Sequence, residues 1–307
     1  MLILDDNIIL HNIISHNGDI PQVPQVDIKG EYQMSLFLLY SISYIVSLKK
    51  SHTFDSLYSL KGDTAAIGLA NTQTDLAGGP NPLKGKVFVF ERVDSVWGTA
   101  TVLEASDGVD GDYFGGSVSI SGDSILVGAS EREKNFDGSD PERKGKAYVF
   151  VRNGAAWDEQ DILYPFTTDK YLGFGGSVAL DGDTAAIGGS RTVEKGQIHI
   201  YVRMAGTWSM QTFVSPGPVY DCFGCSVDLK DGNLLIFAYM DGSADGVGRK
   251  LGAYLYIENN GSWALQETLK TGAAQTFSQV HDRTVALDHK DPTTALVSDV
   301  INVGVGE

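Results

Sequence analysis

Alternating apolar and polar positions recur along this chain in short runs, and the runs keep a fixed order. In FGGSVSISGDSILVGAS (114–130), Val118 and Ile120 stand two apart, the pair Gly122-Asp123 follows, and the apolar run ILVGA comes next. Period-two spacing broken by Gly-Asp predicts two short β-strands joined by a tight hairpin, because such pairs supply the positive φ that hairpin turns demand. Downstream, KAYVFV (146–151) alternates again, the polar stretch RNGAA (152–156) reads as a turn, and Trp157 opens a last strand. Nothing in these runs sustains a helical period. The pattern predicts a unit of four short antiparallel strands.

The unit repeats. An aromatic with small residues after it stands at Phe54, Phe114, Phe174 and Phe223, at intervals of 60, 60 and 49. Next come the turn pairs Gly62-Asp63, Gly122-Asp123, Gly182-Asp183 and the swapped Asp231-Gly232. Apolar runs follow from Ala65, Ile125, Ala185 and Leu235. Then glycines at 85, 145, 196 and 252 precede alternating aromatic segments, and a lone tryptophan closes each unit at Trp97, Trp157, Trp208 and Trp263. Four-stranded units of this size suggest propeller blades. One blade cannot bury both faces of its sheet, but neighbours stacked about an axis can. The recurring aromatics are therefore expected as core layers between blades.

The expected fold is all-β, a β-propeller over 29–307 with units at 54–106, 114–164, 174–215 and 223–270, preceded by a loosely ordered leader at 1–28. The stretch 277–300 reads as half a unit beginning at Phe277. The segment 29–48 starts with Lys-Gly like the third strands and is expected to complete that half, giving five blades closed by strands from both termini. The rival is a piece of a seven-bladed propeller. The apolar run at 34–48 is shorter than the ~20 residues a membrane span needs, so it is read as buried strands. Its other reading, a secretory h-region starting at Met34, stays open; MLILDDNIIL carries acids where a signal peptide carries Lys or Arg.

The arrangement resembles the FG-GAP repeat, the unit of the integrin α-chain β-propeller. Phe114-Gly115 leads to Gly128-Ala129-Ser130, and Phe174-Gly175 to Gly188-Gly189-Ser190. Phe223-Gly224 leads to Phe237-Ala238-Tyr239, where the glycine is lost, and the first unit has Phe54-Asp55 with Gly68-Leu69-Ala70. The final proline is absent from all four units. The resemblance implies a propeller with adhesion or ligand binding on its faces, at the cell surface or outside the cell. Family members often carry a calcium loop of the form Asp-x-Asp-x-Asp-Gly-x-x-Asp between the first two strands. Here that place is a bare turn such as Ser121-Gly122-Asp123-Ser124, which cannot supply the six to eight oxygens calcium takes. No cofactor is expected. Weak calcium binding at most is left to the acidic loops 135–142 and 241–246, with Asp137, Asp140, Asp241 and Asp245 as candidate ligands.

Composition narrows the function. The 36 glycines fit many tight turns. A formal charge of −16 repels phosphate backbones and excludes nucleic acid as the expected partner. None of the six histidines pairs at metal-ligand spacing, and His199 takes a strand position held elsewhere by Phe88, Tyr148 and Tyr254. Gly115-Gly116-Ser117 runs into a strand, so it is no nucleophile elbow. Cys222-Phe223-Gly224-Cys225 straddles the Phe-Gly landmark at a strand start, where structural thiols or a local disulfide are expected rather than redox chemistry. Asn260-Gly261-Ser262 is a glycosylation sequon in a turn.

No catalytic set emerges. The expectation is a non-enzymatic module that recognises a protein or glycan through loops on one face, chiefly 71–83 and 131–143, because loops on a rigid scaffold collect binding residues. The alternatives are a hydrolase or lyase using the rim or central channel, which carboxylates clustered with His199 would favour, and a structural fragment of a larger surface protein.

Overall fold

The computed structural model describes residues 3–4, 8–9, 58–70, 84–109, 111–130, 145–166, 173–189, 196–214, 220–221, 223–240, 250–270, 283–287 and 295–299. All of their regular structure is β, and every strand pair is antiparallel. The first blade holds β3 (Tyr58–Lys61), β4 (Thr64–Leu69) and β5 (Lys86–Val93), with a fourth strand broken into β6 (Val96–Trp97) and β7 (Thr101–Leu103). The second holds β8 (Phe114–Ser121), β9 (Ser124–Ala129), β10 (Lys146–Asn153) and β11 (Ala156–Leu163). The third holds β12 (Phe174–Asp181), β13 (Thr184–Gly189), β14 (Gln197–Met204) and β15 (Thr207–Val214). In the fourth, the first strand is split into β16 (Tyr220–Asp221) and β17 (Val227–Lys230), followed by β18 (Asn233–Met240), β19 (Lys250–Asn259) and β20 (Ser262–Lys270). A further pair, β21 (Arg283–Leu287) and β22 (Ala295–Asp299), follows, and a small pair, β1 (Ile3–Leu4) with β2 (Ile8–Ile9), lies in the stretch expected as a loose leader.

The hairpins form where the sequence places them, by two geometries. Gly62, Gly122 and Gly182 have φ near +57°, while the following Asp does not have positive φ. That is the II′ pattern. In the fourth blade the swapped pair has positive φ at both Asp231 and Gly232, the I′ pattern. Order of the pair thus sets the turn type, and the strands pair across it either way.

Alternation predicts one buried face per strand, yet β9 is buried at all six positions. The reason is stacking. Ile125 and Val127 face the first blade, packing with Phe114, Val87 and Val89; Leu126 faces the third, with Phe174 and Ile187. A third layer joins Ile198, Ile200, Phe223 and Ile236, and a fourth joins Leu235 and Phe237 to Val285 and Leu287 of β21. The core is this series of layers between blades, as propeller packing requires.

The repeat's glycines explain how the blades come so close. A Cβ on Gly68 would overlap the carbonyl of Gly115, one on Gly128 that of Gly175, and one on Gly188 that of Gly224. The receiving glycines 115, 175 and 224 have φ between +84° and +89° and sit at a bulge that turns their carbonyls toward the preceding blade. In the fourth blade the equivalent bulge is wide enough to interrupt the strand, hence β16 and β17. Side chains reinforce the contact: Ser117 Oγ donates to Gly175 O at 2.8 Å and Ser177 Oγ to Gly224 O at 2.7 Å.

First strands run together at the inside of the stack, joined by a second recurring bond. Ile120 N donates to Ser59 Oγ (3.1 Å), Leu180 N to Ser119 Oγ (3.0 Å) and Leu287 N to Asp228 Oδ2 (2.8 Å). Leu287 therefore stands where Ile120 and Leu180 stand, and β21–β22 sits on the fourth blade as one blade sits on the next. The segment 29–48, expected to complete this unit, and Phe277 lie outside the described residues.

Candidate functional site

The grooves between blades open at the edge where the first-to-second and third-to-fourth strand turns lie. The next-to-last residue of each third strand sets their chemistry. Its backbone N–H bonds a carbonyl in the first turn of its own blade: Arg92 to Asp63, Arg152 to Asp123, Arg203 to Asp183 and Glu258 to Gly232. The same residue faces the lone tryptophan across the strand pair: Arg92–Trp97, Arg152–Trp157, Arg203–Trp208 and Glu258–Trp263. All four tryptophans thus share one register.

In three blades the arginine bridges two partners. Its Nε donates to the turn aspartate Oδ1 at 2.7–2.8 Å, and its guanidinium carbon lies 4.5–5.5 Å from the tryptophan ring centre, within cation–π range. Two of the arginines also cross to the preceding blade. Arg152 pairs with Glu91 and donates to Thr64 Oγ1 at 3.0 Å. Arg203 donates to Ser124 Oγ at 3.0 Å and reaches Gln160 Oε1 at 3.5 Å. The tryptophans follow: Trp157 Nε1 donates to Glu91, Trp208 Nε1 to Gln160 and Trp263 Nε1 to Gln211, at 3.1–3.3 Å.

The third groove, between the third and fourth blades, is different. It holds a cleft of about 300 Å³ whose wall includes Asp181, Thr184, Gln211, Glu258 and Trp263. Asp181 accepts from Asp231 N at 2.7 Å and pairs with Lys230 Nζ at 3.1 Å; Lys230 also pairs with Asp231 at 2.9 Å. The bond to Asp231 raises the Lys230 pKa; burial opposes this and Asp181 adds to it. Glu258 accepts from Gly261 N, closing the sequon turn in which Asn260 is exposed and has φ of +52°.

At the opposite edge, where second strands lead to third strands, a polar cluster ties the connector after the first blade to the second blade. Asp107 accepts from Lys146 Nζ and from Tyr148 Oη, both at 2.7 Å. Burial acts against the Asp107 charge, but these two bonds outweigh it and hold the carboxyl below its ordinary pKa. Burial, then Asp107, drives the Tyr148 phenol upward.

The candidate cation ligands Asp137, Asp140, Asp241 and Asp245, and the loops 71–83 and 131–143, lie outside the described residues. Among the described residues no three His, Cys, Asp or Glu side chains converge as a metal site, and no helix is long and apolar enough to cross a membrane. Cys225 is disulfide-bonded, and Cys222 is the one other cysteine of the chain. His199 is 1% exposed on the third strand of its blade, edge-on to Phe174 at 5.2 Å, with no hydrogen-bond partner for either ring nitrogen among the described residues. Burial lowers its pKa to about 4. It is a packed neutral ring in the layer between blades. The groove itself was not anticipated from sequence, although the substitution of Glu258 for arginine in the repeat register was a readable signal.

Residues 97–150 match the FG-GAP repeat family. No curated protein matches the chain by sequence. Among solved structures, the chain is similar to the β-propeller domain of the Trilobed protease from Pyrococcus furiosus, described as having an open velcro topology, at 11% identity and a TM-score of 0.38. That match covers 73% of this chain and 59% of the other, so the chain spans less than two thirds of that propeller. It is also similar to the endo-arabinanase of Bacillus licheniformis, at 12% identity and a TM-score of 0.35, covering 81% and 95%. A third similarity is to the endo-arabinase of Bacteroides thetaiotaomicron, at 13% identity and a TM-score of 0.38, covering 83% and 96%.

Proposed function

We propose that this FG-GAP repeat propeller is a non-enzymatic binding module that recognises a protein or glycan. One observation carries the reading. The scaffold repeats its registers, bulges and inter-blade bonds from blade to blade, while the segments joining second to third strands, at 70–85, 130–145, 190–196 and 241–249, differ in length and charge. A fixed frame with variable connections is the arrangement that collects recognition residues. The disulfide at Cys225 supports placement in an oxidising compartment, at the cell surface or outside the cell.

The test replaces 71–83 and 131–143 with short Gly-Ser turns and screens both proteins on a glycan array and a displayed-protein library. The reading predicts loss of capture with an unchanged melting temperature. Capture that survives both replacements contradicts it.

A further inference from the structure

In the first two grooves the chain supplies its own guanidinium, and in the third no described residue does. Arg152 enters the first groove, lying over Trp157 and reaching Thr64 and Glu91 of the preceding blade. Arg203 enters the second in the same way, over Trp208 and against Ser124 and Gln160. The third groove keeps the hydroxyl, the amide and the tryptophan of the second. Thr184 begins the second strand as Thr64 and Ser124 do, Gln211 holds the Trp263 indole as Gln160 holds that of Trp208, and the tryptophan is in register. Two positions of the fourth blade differ: Glu258 stands in place of the cation, and Gly232 in place of the turn aspartate that would receive its Nε. These two changes leave the cleft of about 300 Å³ where the other grooves are filled.

The charge of the cleft follows. Its wall carries the carboxylates of Asp181 and Glu258; among the described residues Lys230 is the ammonium beside them, shared between Asp181 and Asp231, while Asp183 is paired with Arg203. The balance is negative among the described residues, beside a tryptophan that faces Glu258 across the strand pair where the other three face arginine. A planar, weakly hydrated cation suits such a site better than a compact ammonium, because it can stack on the indole while its N–H groups reach oxygen acceptors in the plane.

We propose that the third groove binds an arginine side chain of a protein partner, with the guanidinium entering where Arg152 and Arg203 lie in the neighbouring grooves. Its face covers Trp263, its N–H groups meet Thr184 Oγ1 and Gln211 Oε1, and Glu258 and Asp181 balance its charge. This deepens the reading of the chain as a binding module by naming the chemistry of one contact, and it puts that contact on the edge opposite the variable loops.

The experiment titrates the full chain with N-acetyl-arginine amide and separately with N-acetyl-lysine amide, reading the Trp263 indole N–H resonance. The proposal predicts a saturable shift with arginine and at least about tenfold weaker binding of lysine. Glu258→Gln weakens the arginine response several-fold. Glu258→Arg abolishes it and raises the melting temperature, because the chain then fills its own groove. An unmoved Trp263 signal, equal response to lysine, or full binding by Glu258→Arg overturns the proposal. If Glu258→Arg does not fold, the Glu258→Gln titration decides alone. Replacing the loops 71–83 and 131–143 leaves the arginine titration unchanged. Failure of the arginine titration with loop-dependent capture intact therefore removes the groove and spares the module, and loss of capture by neither loop nor groove variants removes the module.

Discussion

Gly128 has no room for a methyl group, because the carbonyl of Gly175 and the Ser117 hydroxyl already occupy the space its Cβ would take. Gly122 has open space around it and only a φ of +55° to accommodate. Gly128→Ala should therefore cost about 2–3 kcal/mol by forcing two blades apart, and Gly122→Ala only about 1 kcal/mol of backbone strain; urea midpoints of the two variants check the difference. His199 gives a prediction in pH. Its folded pKa, about 4, lies below its ordinary 6.5, so between those values the unfolded chain binds a proton that the folded chain refuses. Stability contributed by the neutral ring is complete above pH 6.5 and falls as pH drops toward 4, by up to about 3 kcal/mol. His199→Phe should flatten the stability–pH profile over that window. A profile unchanged by the substitution would show that His199 titrates normally.

At the level of strands and hairpins, the arginine–tryptophan pair acts as a tie only where it crosses between blades. Arg152 touches Asp123, Thr64, Glu91 and Trp157, whereas Arg92 has its turn aspartate and Trp97. Arg152→Met should destabilise by about 1–2 kcal/mol and Arg92→Met by about 0.5 kcal/mol or less, since the latter removes an exposed pair. A double-mutant cycle of Arg152→Met with Glu91→Gln checks whether the inter-blade link carries the difference. The hairpins, and the tryptophan opening each fourth strand, were legible in the sequence because turn chemistry and period-two spacing are local. The two-faced burial of β9, the broken fourth strand of the first blade and the split first strand of the fourth were not, because they depend on what the neighbouring sheet presses against. The groove at Glu258 lay between these cases. Its register was readable, but that an arginine there fills an inter-blade slot is a property of stacked sheets, visible only once Arg152 and Arg203 were seen crossing them.

For the molecule as a whole, the blade order follows from the repeat, and the fifth unit was legible only in outline. Its first strand docks through Val285 and Leu287, while Phe277, expected to begin it, lies outside the described residues. Removing residues 271–307 would uncover Leu235 and Phe237, both fully buried, and the inner edge of β17. The shortened chain should self-associate and unfold at lower urea, as sedimentation and denaturation would show. The account rests on blades stacked so that each first strand bonds side chains of the blade before it. Amide hydrogen exchange at Leu180 tests this most directly, since its N–H has Ser119 Oγ of the second blade as its acceptor. Stacking predicts strong protection at Leu180, lost selectively in Ser119→Ala while Ile187 stays protected. Exchange at Leu180 as fast as in an open sheet edge, with or without Ser119, would contradict it.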